Sequence, residues 1–400
     1  MDPRDDERFF LEMQTFSYLA PDNISLNNVD IHSGVRLHLL KILSSTLQSV
    51  MLSGLLIGPV ASAAADGPAD RSAAARPDQR PTLEPTYKIQ AGLDGEIYPV
   101  FANYASLQKR DRRSLGVVSL TVSNPSDKPV RLRMAVNIAG WSDQEIQMAD
   151  VGARASQTFV FAPAFLPRFY QNHEITAATA KISIADMSGR TVYETTVPVR
   201  LRSSEDMYWG SGLKYAPFIA SWVTPHDPRV EALLSQAKEY TPDRRLPGYE
   251  PWKTPSQQEQ ETYREARAIF MALKHQGLSY VKSSGTLGDH KDLSERVRMP
   301  GLSLAESSAN CIDAAVMYAS LFENLGMDAT VVIVPGHAYA GVRVASGPRK
   351  FLLLDVALTG RSTFEQAVAS AEAGVARHDP AVITRITIPD ARSAGIYPMP

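Results

Sequence analysis

Cys311 is the only cysteine in 400 residues, and His337 and Asp355 follow it in the chain. A thiol, an imidazole and a carboxylate in that order can form a nucleophilic acyl-transfer centre. The sulfur attacks a carbonyl carbon, the ring takes and returns the proton, and the carboxylate orients the ring and stabilises its charged form. One cysteine excludes any intramolecular disulfide. It also argues against a zinc-type cluster, which needs several Cys or a dense Cys/His grouping. The other histidines show no metal-ligand spacing, so neither a metal nor a cofactor is expected.

These three side chains need particular elements to hold them. Ala315, Val316, Ala319, Phe322 and Leu325 recur at helical spacing, and Gly326 stops that helix. Asn310 and Asp313 form a plausible capping pair at its start, which puts Cys311 in the first turn. There the helix dipole and unpaired N–H groups favour a thiolate and can donate to an oxyanion. Asp313 is read as structural, since an acid in the first turn suits the dipole. Thr330 to Val334 is a short apolar run read as a strand, Gly336-His337-Ala338 opens the next, and Phe351 to Leu354 is a third that ends in Asp355. A turn from Ser346 to Lys350 would pair the last two strands and bring His337 and Asp355 within reach of each other.

Upstream, two helices are expected. One carries Val230, Leu233, Leu234 and Ala237 behind an Asp227 cap and Pro228. The other runs from Ser256 to His275 and places Tyr263, Ala266, Ile269, Phe270 and Leu273 on one face, stopping at Gly277. Before Tyr208 the period is two. Val118, Leu120 and Val122 alternate with polar residues, Asn124 to Pro129 supplies a turn, and Val130, Leu132, Met134, Val136 and Ile138 resume the alternation, which reads as a hairpin with one wet face. Phe159 and Phe161 belong to a further strand. Ile182 and Ile184 lead through Met187-Ser188-Gly189-Arg190 to Val197, Val199 and Leu201. With no helical pattern from 86 to 204, that region is expected to be an all-β, immunoglobulin-like sandwich.

The N-terminal segment has the order of a secretory signal. Basic residues from Arg36 precede the apolar stretch Ile42 to Ile57 and the small-residue step Ala61-Ser62-Ala63. The apolar stretch is shorter than the ~20 residues a membrane span needs. The expected organisation is a segment at 1–34 that is either an unusual extension or an over-long start, a signal peptide at 35–63 and a disordered linker at 64–85 rich in Ala, Pro, Asp and Arg. The sandwich at 86–204 and a catalytic domain at 208–400 follow. The mature chain would then be periplasmic or secreted, with no stable membrane span after cleavage. With 41 basic against 43 acidic residues and no basic run, no nucleic-acid partner is expected.

Asn310-Cys311-x-Asp313-Ala314, Pro335-Gly336-His337-Ala338 and the Leu-Leu-Leu-Asp355 strand resemble the bacterial transglutaminase-like cysteine peptidase superfamily. Trp222-Val223-Thr224-Pro225, Asp227-Pro228 and Arg298-Met299-Pro300 extend the likeness, which covers Tyr208 to Val375. The resemblance implies an α+β, papain-related domain with Cys311, His337 and Asp355 as its catalytic residues. Relatives often carry Gln where Glu295 stands, and an ionised Glu295 could not donate to an oxyanion as an amide can. The function it implies is a cysteine peptidase or amidase acting on a protein, a peptide or a cell-envelope amide. The alternatives are a cross-linking transglutaminase and a non-catalytic envelope module for binding or assembly.

Overall fold

The computed structural model describes residues 83–90, 93, 95–107, 115–282, 294–344 and 350–400. The extension, the signal peptide and nearly all of the expected linker lie outside them. The chain is a mixed α+β protein whose strands and helices surround two principal hydrophobic cores.

The first core belongs to two sheets. β1 (Glu84–Ile89), β3 (Val118–Asn124) and β6 (Ala155–Phe161) form one, in the order β1-β3-β6. The other has the order β2-β8-β7-β4-β5, from β2 (Glu96–Ile97), β4 (Val130–Ile138), β5 (Glu145–Val151), β7 (Thr176–Asp186) and β8 (Thr191–Leu201). Leu120 of β3, Met134 of β4, Phe161 of β6 and Ile182 of β7 are all fully buried in one shared cluster, so the two sheets face each other. Each such side chain contributes roughly 1.5–3 kcal/mol on burial. β1 begins at Glu84, inside the stretch expected to be linker, because its backbone completes the ladder on β3.

Two expectations for this region change. β3 and β4 do not pair: β3 lies between β1 and β6, and β4 between β5 and β7. The turn between them carries the chain from one sheet to the other. Asn124 fastens that corner, its Nδ2 donating to the carbonyls of Lys128 at 2.8 Å, Gly152 at 2.9 Å and Val151 at 3.2 Å. Alternation reports which face of a strand is buried, and both strands bury theirs in the same core; it does not report which strand lies alongside. The second change is a helix, α1 (Pro99–Leu107), where only strands were expected. Val100 and Phe101 enter the second core while Ala102 enters the first. A helix apolar on both sides has no polar stripe to betray its period. After a helical turn, α2 (Pro167–Tyr170), the chain continues to β9 (Asp206–Tyr208).

The second core is built around β15-β14-β13-β16, an antiparallel sheet made of β13 (Ala329–Val334), β14 (His337–Arg343), β15 (Phe351–Leu354) and β16 (Thr384–Thr387). Helices α3 (Pro228–Ala237), α4 (Pro255–His275), α5 (Pro300–Glu306) and α6 (Cys311–Asn324) share a cluster with one face of this sheet. α7 (Phe364–Ala376) covers the other face, over Val332, Tyr339 and Leu353. α8 (Ile388–Ser393) closes the chain. The expected capping devices are present: Asp227 accepts from Arg229 N–H, and Pro255 starts α4 one residue before the expected Ser256. On α4 the expected face buries Ala266, Ile269, Phe270 and Leu273, while Tyr263 lies at its margin with its ring edge-on to Phe364.

The cores meet at charged side chains. Arg202 is fully buried, donates to Asp206 at 2.8 Å and to Glu96 at 3.4 Å, and lies over the ring of Tyr98. A guanidinium taken out of water requires such partners. Beside it β9 pairs with β11 (Ser294–Arg296), so the strand bearing Glu295 is hydrogen-bonded to the chain leaving the first core. The short parallel pair β10 (Ser279–Tyr280) and β12 (Ser308–Ala309) leads into α6.

Candidate active site

Cys311 is the first residue of α6 because Asn310 and Asp313 close a reciprocal capping box around it. Asn310 Oδ1 accepts from Asp313 N–H at 2.7 Å, and Asp313 Oδ2 accepts from Asn310 N–H at 3.2 Å. The Ala314 N–H goes to the Asn310 carbonyl. None of these bonds uses the Cys311 N–H, which stands at the positive end of the helix, where an anionic sulfur or oxyanion is favoured. Asp313 is fully buried and also accepts from Arg298 N–H at 2.8 Å and Arg298 Nε at 3.1 Å. Burial nevertheless holds its carboxyl above the ordinary range. Asp313 is thus fully occupied in fixing the helix start to the Arg298 segment.

His337 and Asp355 reach the thiol from the opposite face of the sheet. Along β14, Ala338 and Ala340 point into the core shared with α6, so His337 and Tyr339 lie on the α7 side. Leu354 and Leu353 alternate likewise on β15, which places Asp355, the next residue, on the α7 side as well. The triad therefore closes around the end of the sheet, with Cys311 half-buried at the mouth of α6. His337 Nε2 lies 3.0 Å from Asp355 Oδ1. The Cys311 side chain is near enough to the ring to raise its basicity through hydrogen bonding and charge.

The electrostatics follow from this contact set. Burial lowers the basicity of His337, but the hydrogen bonds and charges of Asp355 and Cys311 outweigh it and raise the imidazole to about 9. Burial raises the Asp355 carboxyl, yet the bond to His337 and its charge, with donations from Ser370 and the Ala357 N–H, bring it below the usual carboxylate range. At neutral pH the pair is therefore an imidazolium beside a carboxylate, the state that stabilises a neighbouring thiolate.

Three contacts at the site have no signal in the sequence. Ser370 Oγ donates to Asp355 Oδ2 at 2.7 Å, the Tyr339 ring stands perpendicular to His337 at 4.7 Å between centroids, and Trp209 hydrogen-bonds the side chain of Glu295. Each partner is far away in sequence or sits in an ordinary helix or strand pattern. Glu295 is half-buried on β11. Loss of water and the negative charge of Asp313 push its carboxyl up to about 7, against the donation from Trp209. It therefore spends part of the neutral range protonated and able to donate, which an always-ionised carboxylate could not do. Among the described residues no group of three or more His, Cys, Asp and Glu side chains could hold a metal ion, and no helix is long and apolar enough to cross a membrane. The sequence matches no protein-family model and no curated protein.

Proposed function

We propose that this chain is an exported thiol hydrolase: a cysteine peptidase or amidase that uses Cys311, His337 and Asp355 on a protein or cell-envelope amide bond. The observation that carries the reading is one imidazole with Nε2 3.0 Å from the buried Asp355 carboxylate and its basicity raised by the nearby Cys311 side chain. In this reading residues 208–400 form a transglutaminase-like, papain-related catalytic domain and residues 86–204 an immunoglobulin-like sandwich. A signal peptide at 35–63 delivers the protein to the periplasm or beyond.

The steps follow from the contacts. The Cys311 thiolate adds to the carbonyl carbon, and the oxyanion is met by N–H groups at the start of α6. As the tetrahedral adduct collapses, the C–N bond breaks and His337 gives its proton to the leaving amine. The thioester carbon then accepts a water whose proton His337 takes, and the C–S bond breaks to release the acid and restore the Cys311 thiolate beside the His337 imidazolium.

Alkylation of Cys311 with iodoacetamide across pH tests the reading, since this is the only thiol in the chain. The wild type should react well below the ~8.5 at which a free thiol titrates, and His337→Ala should return the profile to that value. A wild-type profile that follows an ordinary thiol would sink the proposal. Trapping supplies the substrate: wild type, but not Cys311→Ala, should retain a covalent adduct after incubation with envelope extract.

A further inference from the structure

We infer that helix α7 is the buttress of the catalytic dyad, and that Ser370 is a positioning residue acting through Asp355 while Gly374 is the site where Tyr339 closes against the helix. The inference rests on the thiol-hydrolase reading above and adds parts that lie outside the triad. It begins from four contacts made by one helix face.

Ala367, Ala371 and Gly374 are the buried residues of α7 after Phe364, spaced so that they form a single stripe along it. Ser370 lies beside that stripe. At the first position, the Ala367 carbonyl accepts the Asp355 N–H at 3.0 Å, which fixes the backbone of the acid at the end of β15. One turn on, Ser370 Oγ donates to Asp355 Oδ2 at 2.7 Å, on the opposite side of the carboxylate from the oxygen facing His337. Ala371 lies in a cluster with Tyr339 and Leu353, so the helix sits directly on the sheet face that carries the dyad. At Gly374 the hydroxyl of Tyr339 comes so close that a Cβ would overlap it. The same Tyr339 ring is perpendicular to His337.

The physical consequence is that both rotatable elements of the dyad are held from one side. A carboxylate with one oxygen on the imidazole could still turn about its χ2 torsion; a second donor on the other oxygen removes that freedom and keeps the charge in place. An imidazole hydrogen-bonded at one nitrogen could still tilt, and a packed aromatic edge limits the tilt. The helix is itself fixed at its start by the Thr363–Gln366 capping box and by Phe364, which is buried against Phe270 of α4. Small residues at 367, 371 and 374 let it approach the sheet closely enough for a side chain as short as serine to reach the acid.

The test is the pH profile of Cys311 alkylation in the full chain, compared among wild type, Ser370→Ala, Ser370→Thr and His337→Ala. Losing the serine donor lets the Asp355 carboxyl take up a proton at higher pH. A carboxylate held less firmly stabilises the His337 imidazolium and hence the thiolate less, so the acid limb of the profile should move up in Ser370→Ala, by at most the roughly one pH unit that a hydrogen bond to a charged group supplies. Ser370→Thr keeps the hydroxyl and should restore the wild-type limb. A purely structural serine would lower the melting temperature without moving the limb. Gly374→Ala should slow alkylation several-fold at all pH values, and adding Tyr339→Phe, which removes the overlapping hydroxyl, should recover most of that loss. If the limb in Ser370→Ala stays where it is while His337→Ala abolishes it, the positioning role is refuted and the hydrolase reading stands. If the wild type itself titrates as a free thiol, the hydrolase reading falls and takes the positioning role with it.

Discussion

Replacing His337 by Gln should alter how stability depends on pH within one window. In the folded chain Asp355 and Cys311 raise the imidazole to about 9 against the opposing effect of burial, whereas an unfolded histidine titrates near ~6.5. The protein thus holds that proton over about 2.5 pH units more than the unfolded chain does. At about 1.4 kcal/mol per unit, folding favours the protonated form by about 3 kcal/mol. Because the folded value is the higher one, this stability is fully present below ~6.5 and is lost as pH rises through about 9. Urea unfolding of wild type and His337→Gln between pH ~5.5 and ~9.5 measures it. Subtracting the two stabilities at each pH removes the contributions of groups common to both, such as Glu265 and Glu295. The difference should fall towards the alkaline end by at most about 3 kcal/mol, because the proton that the same contact displaces from Cys311 offsets part of the one it holds on His337. A difference that stays level throughout would refute the thiol–imidazole–carboxylate contact as the source of the raised basicity.

Two further outcomes follow from single side chains. Glu265 is fully buried on α4, with Oε1 accepting Gly248 N–H at 2.9 Å and Oε2 unpartnered, and burial pushes its carboxyl up to about 7. Its contribution is present below the ordinary ~4.5 and lost as pH rises through 7, so Glu265→Gln should remove about 3 kcal/mol of pH dependence between urea midpoints taken at pH ~4.5 and ~8. Asn310→Ala removes the cap that accepts Asp313 N–H at 2.7 Å; it should cost about 1 kcal/mol in thermal or urea unfolding and slow the alkylation of Cys311.

Much of the site's local structure was legible because its signals are short-range. The Asn310–Asp313 capping pair, the Asp227-Pro228 helix start and the apolar strands before His337 and Asp355 each depend on residues within a few positions of one another. The structure contains the corresponding elements at Cys311–Asn324, Pro228–Ala237, Ala329–Val334 and Phe351–Leu354. The strand pairing beyond Thr86 was harder to read. Val118 and Leu132 both looked like inward-facing residues, and both are buried, but nothing in their alternation distinguished a hairpin from a step between sheets. Helix α1 was missed because Val100 and Phe101 serve one core and Ala102 the other.

The sequence by itself determined the chemical inventory: one thiol, with an imidazole and a carboxylate placed at the ends of elements that local spacing defines. Only the tertiary structure decided how these meet. Cys311 comes from a helix on one face of the sheet, and His337 and Asp355 from strands whose side chains lie on the other face; the closure happens at the sheet's end. The supporting contacts from Ser370, Gly374 and Tyr339 were decided there too. The reason is that periodicity and capping report backbone geometry over a few residues, whereas a hydrogen bond from one helix to the end of a distant strand depends on how whole elements pack.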